Sequence, residues 1–213
     1  MDETDVVAGV NAMLSAIKRL MFLKSVLGGA LPDGYQKLRG ITFSSNTYYE
    51  ITGFKLRGSD TVRFRASFDK ACNVFGCYTT ASATDNYSLY MSTTANSKYL
   101  RYADGTYSSW VTSAQYGEPF DIVITPTGSR GMPNKNDSWS AEEFTTSVDM
   151  CICTTSTGAS SAKLDGDLIG DFIVDGRFRG IPCKRLSDGK IGYYDTYSKT
   201  FYPPVGTNPT AIE

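Results

Sequence analysis

The sequence predicts a mainly β protein in which two antiparallel sheets form a sandwich, preceded by one α-helix. Three observations support this prediction. Helical periodicity is confined to residues 4–27, short segments with the strand pattern follow from Tyr35 onward, and turn residues separate those segments at intervals of about 8–12 residues. A chain of 213 residues can also bury a core of its own.

The first segment has the apolar spacing of an amphipathic helix of about 24 residues, which Gly28 and Gly29 end. Spacings of four and three alternate along it, as in the seam of a coiled coil. Val7, Leu14 and Met21 widen the apolar face, which favours a coiled coil of three or more helices, or docking on a larger assembly. The residues predicted to join copies of the chain are Val6, Val10, Met13, Ile17, Leu20 and Leu27.

This pattern divides the chain into residues 1–30, an oligomerisation or docking helix, and residues 31–213, one β domain. The segment that joins them is rich in glycine, and the sequence contains no second helix with which the first can pair. A helix packed on its own domain remains the alternative interpretation.

The β domain is predicted from segments that alternate between apolar and polar residues. In Val62–Phe68, the apolar residues Val62, Phe64, Ala66 and Phe68 are expected in the core, with Arg63, Arg65 and Ser67 facing outward. Turns are predicted at Asp104-Gly105, Asp175-Gly176 and Asp188-Gly189. Further strands are predicted at residues 87–91, 98–102, 120–124, 148–152, 168–174, 191–194 and 200–202, and in a run that ends at Leu186.

Composition excludes several chemistries. The chain has no histidine, which removes Ser-His-Asp and Cys-His catalysis, histidine-ligated metals and a histidine pH switch. Its net charge of −1 gives no general attraction to nucleic acid or to an anionic membrane. An acidic start at Asp2, Glu3 and Asp5 does not resemble a secretory signal, so we expect synthesis in a reducing cytoplasm, with the five cysteines as packing residues.

No enzyme is expected either. The six glutamates do not form the closely spaced carboxylate pair that glycoside cleavage requires, and the sequence contains no phosphate-binding loop, dinucleotide fingerprint or nucleophile elbow. Asp165-Gly166-Asp167 is interpreted as a turn, with a Ca²⁺ site as the alternative. We therefore predict no cofactor.

Two separated motifs carry a family resemblance. The opening motif is LPDGYQKL at residues 31–38 followed by YYEITGF at residues 48–54, and the closing motif is IPCKRLSDGKIGYYDT at residues 181–196, continued by KTFY. Together they resemble the concanavalin A-like (laminin-G-like) jelly-roll domains of bacteriophage and prophage surface proteins, over roughly residues 31–207. Gly180 stands where the family usually has phenylalanine. The resemblance implies an antiparallel two-sheet jelly roll on a virion surface, often one that adheres to glycans.

Candidate ligand contacts combine aromatic rings with polar side chains, because sugars offer both C–H faces and hydroxyl groups. Tyr107 and Trp110 follow a predicted turn, and Asn134, Asn136 and Trp139 lie in a long polar loop at residues 125–141. A tryptophan in a sandwich is also commonly a core residue, so packing is the alternative for both tryptophans. Arg63 and Arg65 are interpreted as contacts for an anionic glycan or as a solvated face.

The expected function is that of a bacteriophage virion-surface structural protein, a fibre, head-decoration protein or adhesin that displays a lectin-like domain. The first alternative is a purely structural capsid or tail component without glycan binding, and the second is a cellular carbohydrate-binding module. Expected partners are copies of the chain in a homotrimer formed by the helix, other virion proteins and host-surface polysaccharide. Nucleic acid binding and membrane insertion are not expected. The expected location is the virion surface, after synthesis in the host bacterial cytoplasm.

Overall fold

A computed structural model describes residues 31–44, 46–69, 72–79, 83–92, 97–110, 117–131, 136–154 and 165–213. The predicted helix at residues 4–27, with all six of its predicted contact residues, lies outside the described residues. So does Asn134. Gly34–Glu213 form one compact unit.

Strands are the regular secondary structure of the described residues, as the alternating segments predicted. In chain order the strands are β1 (Tyr35–Lys37), β2 (Gly40–Phe43), β3 (Thr47–Ile51), β4 (Val62–Phe68), β5 (Cys72–Cys77), β6 (Asn86–Ser92), β7 (Ser97–Ala103), β8 (Gly105–Trp110), β9 (Phe120–Thr125), β10 (Gly128–Arg130), β11 (Met150–Ile152), β12 (Gly166–Val174), β13 (Phe178–Arg185), β14 (Ile191–Asp195), β15 (Thr200–Tyr202), β16 (Val205–Gly206) and β17 (Thr210–Ile212).

These strands form two antiparallel sheets. Within the described residues, the larger sheet has the order β10-β9-β4-β12-β13-β14-β15, with β1 paired to β13 and β2 lying between β12 and β17. The smaller sheet has the order β16-β3-β11-β5-β6-β7-β8. The mainly β class and the two antiparallel sheets are confirmed.

Aromatic rings from both sheets fill the space between them. Phe64 and Phe172 of the larger sheet stack with ring centroids 5.2 Å apart, and Phe75 of the smaller sheet meets both of them edge-on. Tyr49 and Tyr193 make a similar contact between the sheets at 5.1 Å. Such pairs add specific geometry to the burial of large apolar surfaces, so they fix how the sheets face each other.

Strand β4 has the predicted bounds, and its four predicted core residues are buried. Ser67 was expected to face solvent but is only 6% exposed, opposite Asp167 of β12. Arg63 and Arg65 each pair with a carboxylate on a neighbouring segment, Asp175 at 2.9 Å and Asp121 at 2.7 Å.

Three local predictions were wrong. Asp165-Gly166-Asp167 is not a turn, because Gly166 and Asp167 begin β12, where Asp167 accepts a hydrogen bond of 2.7 Å from the Thr42 hydroxyl. Strand β11 begins at Met150 rather than at residue 148. Residues 125–141 are not one continuous loop, because Gly128–Arg130 form β10 against β9.

The turn between β7 and β8 differs by one residue from its prediction. Tyr102 pairs with Gly105 across the hairpin, so Ala103 and Asp104 make the two-residue turn. Ala103 has a φ of 52°, the left-handed conformation that such a turn requires. The turns at Asp175-Gly176 and Asp188-Gly189 join β12 to β13 and β13 to β14 as predicted.

Candidate functional site

One side of the sandwich is closed by residues 136–149, which we call the edge segment. At its start, the Trp139 N–H donates to the carbonyl oxygen of Thr127 beside β10 of the larger sheet. A few residues later, the Glu142 N–H donates to the hydroxyl of Tyr102 on β7 of the smaller sheet, at 3.1 Å. The edge segment therefore bridges the two sheets.

Two aromatic residues of the edge segment meet two from β7 and β8, and we call these four residues the edge aromatic cluster. The Trp139 ring lies 4.8 Å from that of Tyr107 and 5.2 Å from that of Tyr102, and the Tyr102 ring contacts Phe144 at 5.1 Å. Tyr102 is buried, whereas the other three residues are partly buried. The cluster thus runs from the core to the surface.

Two of the five predicted ligand contacts, Tyr107 and Trp139, are brought together in this cluster. Asn136 is exposed at the start of the edge segment. Trp110 is the last residue of β8, opposite Ser97, and its side chain lies outside the described part of the chain, as Asn134 does entirely.

Trp139 has contacts typical of a packing residue as well as partial exposure. Its indole N–H is buried and has no hydrogen-bond acceptor among the described residues. Its ring packs against the hydrophobic core.

The surroundings of Tyr107 are acidic. Burial of the ring raises the pKa of Tyr107, and the negative charges of Asp104, Glu142 and Asp137 raise it further. Space for the ring depends on Gly105, because a Cβ atom there would lie 2.8 Å from the Tyr107 hydroxyl oxygen. Carboxylates accept hydrogen bonds from sugar hydroxyls and repel anions, so this surface suits an uncharged polyol better than an acidic one.

A surface depression of about 350 Å³ lies beside the cluster, and Phe144 belongs to both. Arg57 and Glu143 bring opposite charges to its walls, and both are exposed. Neither side chain forms a hydrogen bond or an ion pair with any residue that the structure describes. The residues that line the depression are Arg57, Ser59, Glu143, Phe144 and Thr145.

Hydrogen bonds hold in place the first wall of the depression, which Arg57 and Ser59 form. The Arg57 N–H donates to the Asp60 carboxylate at 2.8 Å, and the Asp60 N–H donates to the Arg57 carbonyl oxygen at 2.9 Å. The same carboxylate pairs with the Arg177 guanidinium, which also donates to the Lys55 carbonyl oxygen and lies over the ring of Phe54. Because Asp60 is only 4% exposed, water screens this pair weakly.

The second wall, formed by Glu143, Phe144 and Thr145, is joined to the first, formed by Arg57 and Ser59, through Gly58. Its N–H donates to the Phe144 carbonyl oxygen at 2.9 Å, and its own carbonyl oxygen accepts from the Tyr102 hydroxyl at 2.8 Å. A Cβ atom at Gly58 would lie 2.0 Å from the Glu142 carbonyl oxygen and 2.9 Å from the Phe144 ring. Only glycine permits this close approach of the two walls.

Sequence reasoning missed the depression. Its walls come from segments far apart in the chain, joined where the Leu56 N–H donates to the Thr146 hydroxyl across 90 residues. No local motif predicts such a contact. Of the two interpretations of Arg63 and Arg65, contact with an anionic glycan gains no support, because each charge is balanced by its own aspartate.

Other chemistries find little basis among the described residues. No group of three or more His, Cys, Asp or Glu side chains lies close enough together there to hold a metal ion. Burial raises the pKa of the Cys77 thiol to about 11 and the pKa values of Cys151 and Cys183 to about 12, so these thiols are poor nucleophiles. Among the same residues there is no helix with the length and hydropathy needed to cross a bilayer.

The fold and this surface define an antiparallel β-sandwich with a preformed aromatic and polar depression at one edge. Comparison of the sequence with protein-family models and with curated proteins gives no match.

Proposed function

We propose that the protein is a structural component of the bacteriophage virion surface, a fibre, head-decoration protein or adhesin, whose lectin-like sandwich binds a host-surface glycan. The observation that carries the proposal is the pair of partly buried rings, Tyr107 and Trp139, which lie 4.8 Å apart, with Asn136 exposed three residues before Trp139 in the chain. Rings that stack on C–H faces next to polar groups that orient hydroxyls are typical of sugar sites.

The finer fold assignment, a concanavalin A-like jelly roll, belongs to the same proposal. Its support is the closing motif at residues 181–196, which spans most of β13, the Asp188-Gly189 turn and β14. Arg185 and Asp188 stabilise that turn through two hydrogen bonds. These motif residues have structural roles, so they support the fold assignment only. The proposed ligand contacts are those of the edge aromatic cluster.

In the proposed protein, the predicted helix brings several copies of the sandwich domain together. Its seam of Val6, Val10, Met13, Ile17, Leu20 and Leu27 is proposed to form a homotrimer or to dock on other virion proteins. Several linked sandwiches bind a repeating polysaccharide more tightly than one does, because later contacts are intramolecular.

Sedimentation velocity of the full chain tests this role. We expect a trimer that becomes a monomer when Val10→Asp and Ile17→Asp are combined, because two charges in each seam cannot be buried. A native chain that stays monomeric at every concentration contradicts self-association and leaves docking on another protein.

A purely structural capsid or tail component is the second candidate function. The observation that favours it is the packing of the Trp139 ring on both Tyr102 and Tyr107, with a buried indole N–H. In that case the edge aromatic cluster stabilises the sandwich and binds no glycan. A cellular carbohydrate-binding module, the third candidate, has no comparable observation in its favour.

An array of host-surface polysaccharides, probed with the full chain at high avidity, separates the first two candidates. We expect binding that weakens at least about tenfold in Asn136→Ala and in Tyr107→Leu. Thr106→Ala, an exposed neighbour on β8, is the control and should bind like the native protein. Failure of the native protein to bind any glycan contradicts the adhesin role. The neighbouring genes test virion origin independently, since capsid and tail genes are expected beside it.

A further inference from the structure

We infer that the depression between Arg57 and Glu143 is a binding subsite for one neutral pyranose unit, a hexose or an N-acetylhexosamine. This subsite is separate from the Tyr107–Trp139 pair, although the edge segment contributes residues to both, Trp139 to the pair and Glu143 and Phe144 to the depression. The inference rests on the proposed glycan-binding function and adds to it the place of contact and the class of sugar.

Phe144 supplies the apolar surface that such a sugar requires. Its ring packs on Tyr102 at 5.1 Å and on Tyr87 at 6.4 Å, which holds it in one orientation, and it remains partly exposed at the depression. A pyranose ring presents C–H groups that pack on a fixed aromatic ring, so little side-chain entropy is lost when the sugar binds.

The charged side chains favour a neutral sugar over an acidic one. Arg57 offers only hydrogen-bond donors and Glu143 only acceptors, and among the described residues neither is paired with another group. A hydroxyl both donates and accepts, so a neutral sugar can use both residues. A uronate would gain from Arg57 but would be repelled by Glu143, and also by the neighbouring charge of Glu142.

Size and rigidity are consistent with a site for one sugar unit. A volume of about 350 Å³ is near the lower end of the range for small-ligand sites. Both walls are held before any ligand arrives, one by the Asp60–Arg177 pair and the other by the hydrogen bonds of Gly58. A preformed site binds its ligand without the entropic cost of ordering its loops.

The test is an amide NMR titration of the full ¹⁵N-labelled chain with methyl α-D-glucopyranoside, N-acetyl-D-glucosamine and sodium D-glucuronate. We expect a neutral sugar to shift the amide signals of Ser59, Phe144 and Thr145, and glucuronate to shift them more weakly. Arg57→Gln and Glu143→Gln should each weaken the response at least about tenfold. Arg39→Gln and Glu118→Gln, two exposed residues outside the depression, are the matched controls and should leave it unchanged.

The possible outcomes distinguish this inference from the proposed function. If the native chain binds polysaccharides on the array but the amides of the depression do not respond, or the two wall variants bind normally, the subsite is refuted and glycan binding stands. Tighter binding of glucuronate than of both neutral sugars refutes the assigned class. No binding on the array and no response to any of the three sugars refutes both.

Discussion

The hydroxyl of Tyr102 lies 2.8 Å from the carbonyl oxygen of Gly58 and accepts the N–H of Glu142 at 3.1 Å. Gly58 is 44 residues away in the chain and Glu142 is 40 residues away. One phenol group on β7 therefore ties together the two segments that form the walls of the depression.

Replacing Tyr102 with phenylalanine should lower the free energy of unfolding by about 1–3 kcal/mol, because it deprives both the Gly58 carbonyl and the Glu142 N–H of a partner. Urea unfolding measures the change. Tyr197→Phe is the control, since that side chain is 55% exposed, and it should change stability by less than about 0.5 kcal/mol. Equal effects in the two variants would contradict a structural role for the Tyr102 hydroxyl.

Loss of the hydroxyl should change the free energy of unfolding differently at two adjacent buried tyrosines. The Tyr49 hydroxyl donates to the Ile191 carbonyl oxygen at 2.9 Å, whereas the buried Tyr193 hydroxyl has no partner among the described residues. Tyr49→Phe should therefore cost about 1–2 kcal/mol at neutral pH. Tyr193→Phe should be neutral or stabilising by up to about 1 kcal/mol. Thermal or urea unfolding distinguishes them, and a large loss in Tyr193→Phe would show that its hydroxyl has a partner.

Alkaline pH should destabilise the native protein. Burial raises the pKa values of Tyr49, Tyr87 and Tyr193 well above 10.0, so above about pH 10 the unfolded chain releases protons that the native state keeps. The free energy of unfolding then falls with rising pH, by about 1.4 kcal/mol per pH unit for each such group. Urea unfolding across this range measures the slope. Tyr193→Phe should have a shallower slope than the native chain, and an unchanged slope would contradict the assignment.

Two aspartates that each pair with an arginine should differ in their effect on stability. The Asp60 side chain is 4% exposed, and Asp60→Asn leaves the Arg177 guanidinium and the Arg57 N–H without their charged acceptor, so a loss of about 2–4 kcal/mol is expected. Asp121, which pairs with Arg65, is 74% exposed, and Asp121→Asn should cost less than about 1 kcal/mol. Urea unfolding of the two variants checks this, and similar losses would refute the difference.

Three thiols should resist alkylation in the native state. With pKa values of about 11 for Cys77 and about 12 for Cys151 and Cys183, the thiolate fraction near pH 8 is at least about a hundredfold below that of an ordinary cysteine. Iodoacetamide labelling followed by peptide mass spectrometry should therefore modify these residues rapidly only after unfolding in urea. Rapid labelling of the native protein would contradict their burial.

Strand prediction succeeded where local pattern and local turn chemistry agree. Val62–Phe68 alternates strictly because one face is buried, and Asp188-Gly189 forms its turn with Gly189 at a φ of 71°. The errors arise where contacts between residues far apart in the sequence determine where a strand begins. Val148 has the strand pattern, yet β11 begins only at Met150, where a backbone hydrogen bond to Phe54 joins the start of the strand to a remote part of the chain.

The candidate site was predictable in part for the same reason. Tyr107 and Trp139 are predictable from residue type and local context, because the first follows a predicted turn and the second stands in a long polar segment. Arg57 and Glu143 are ordinary surface charges in the sequence, and their shared depression exists only after the Leu56–Thr146 contact forms. Charge and volume then define a site that no spacing in the chain reveals.

The order of strands in the sheets also has a consequence for biosynthesis. Strand β2 pairs with β12 and β17, and Thr42 meets Asp167 across 125 residues. At about 5–20 residues per second, a ribosome needs roughly 6–25 s to deliver that partner after β2 has been made. Until then the apolar residues Ile41 and Phe43 lack their place in the sheet. The time at which the sandwich first closes is therefore set by translation and by slow long-range pairing rather than by the stability of the finished sheets.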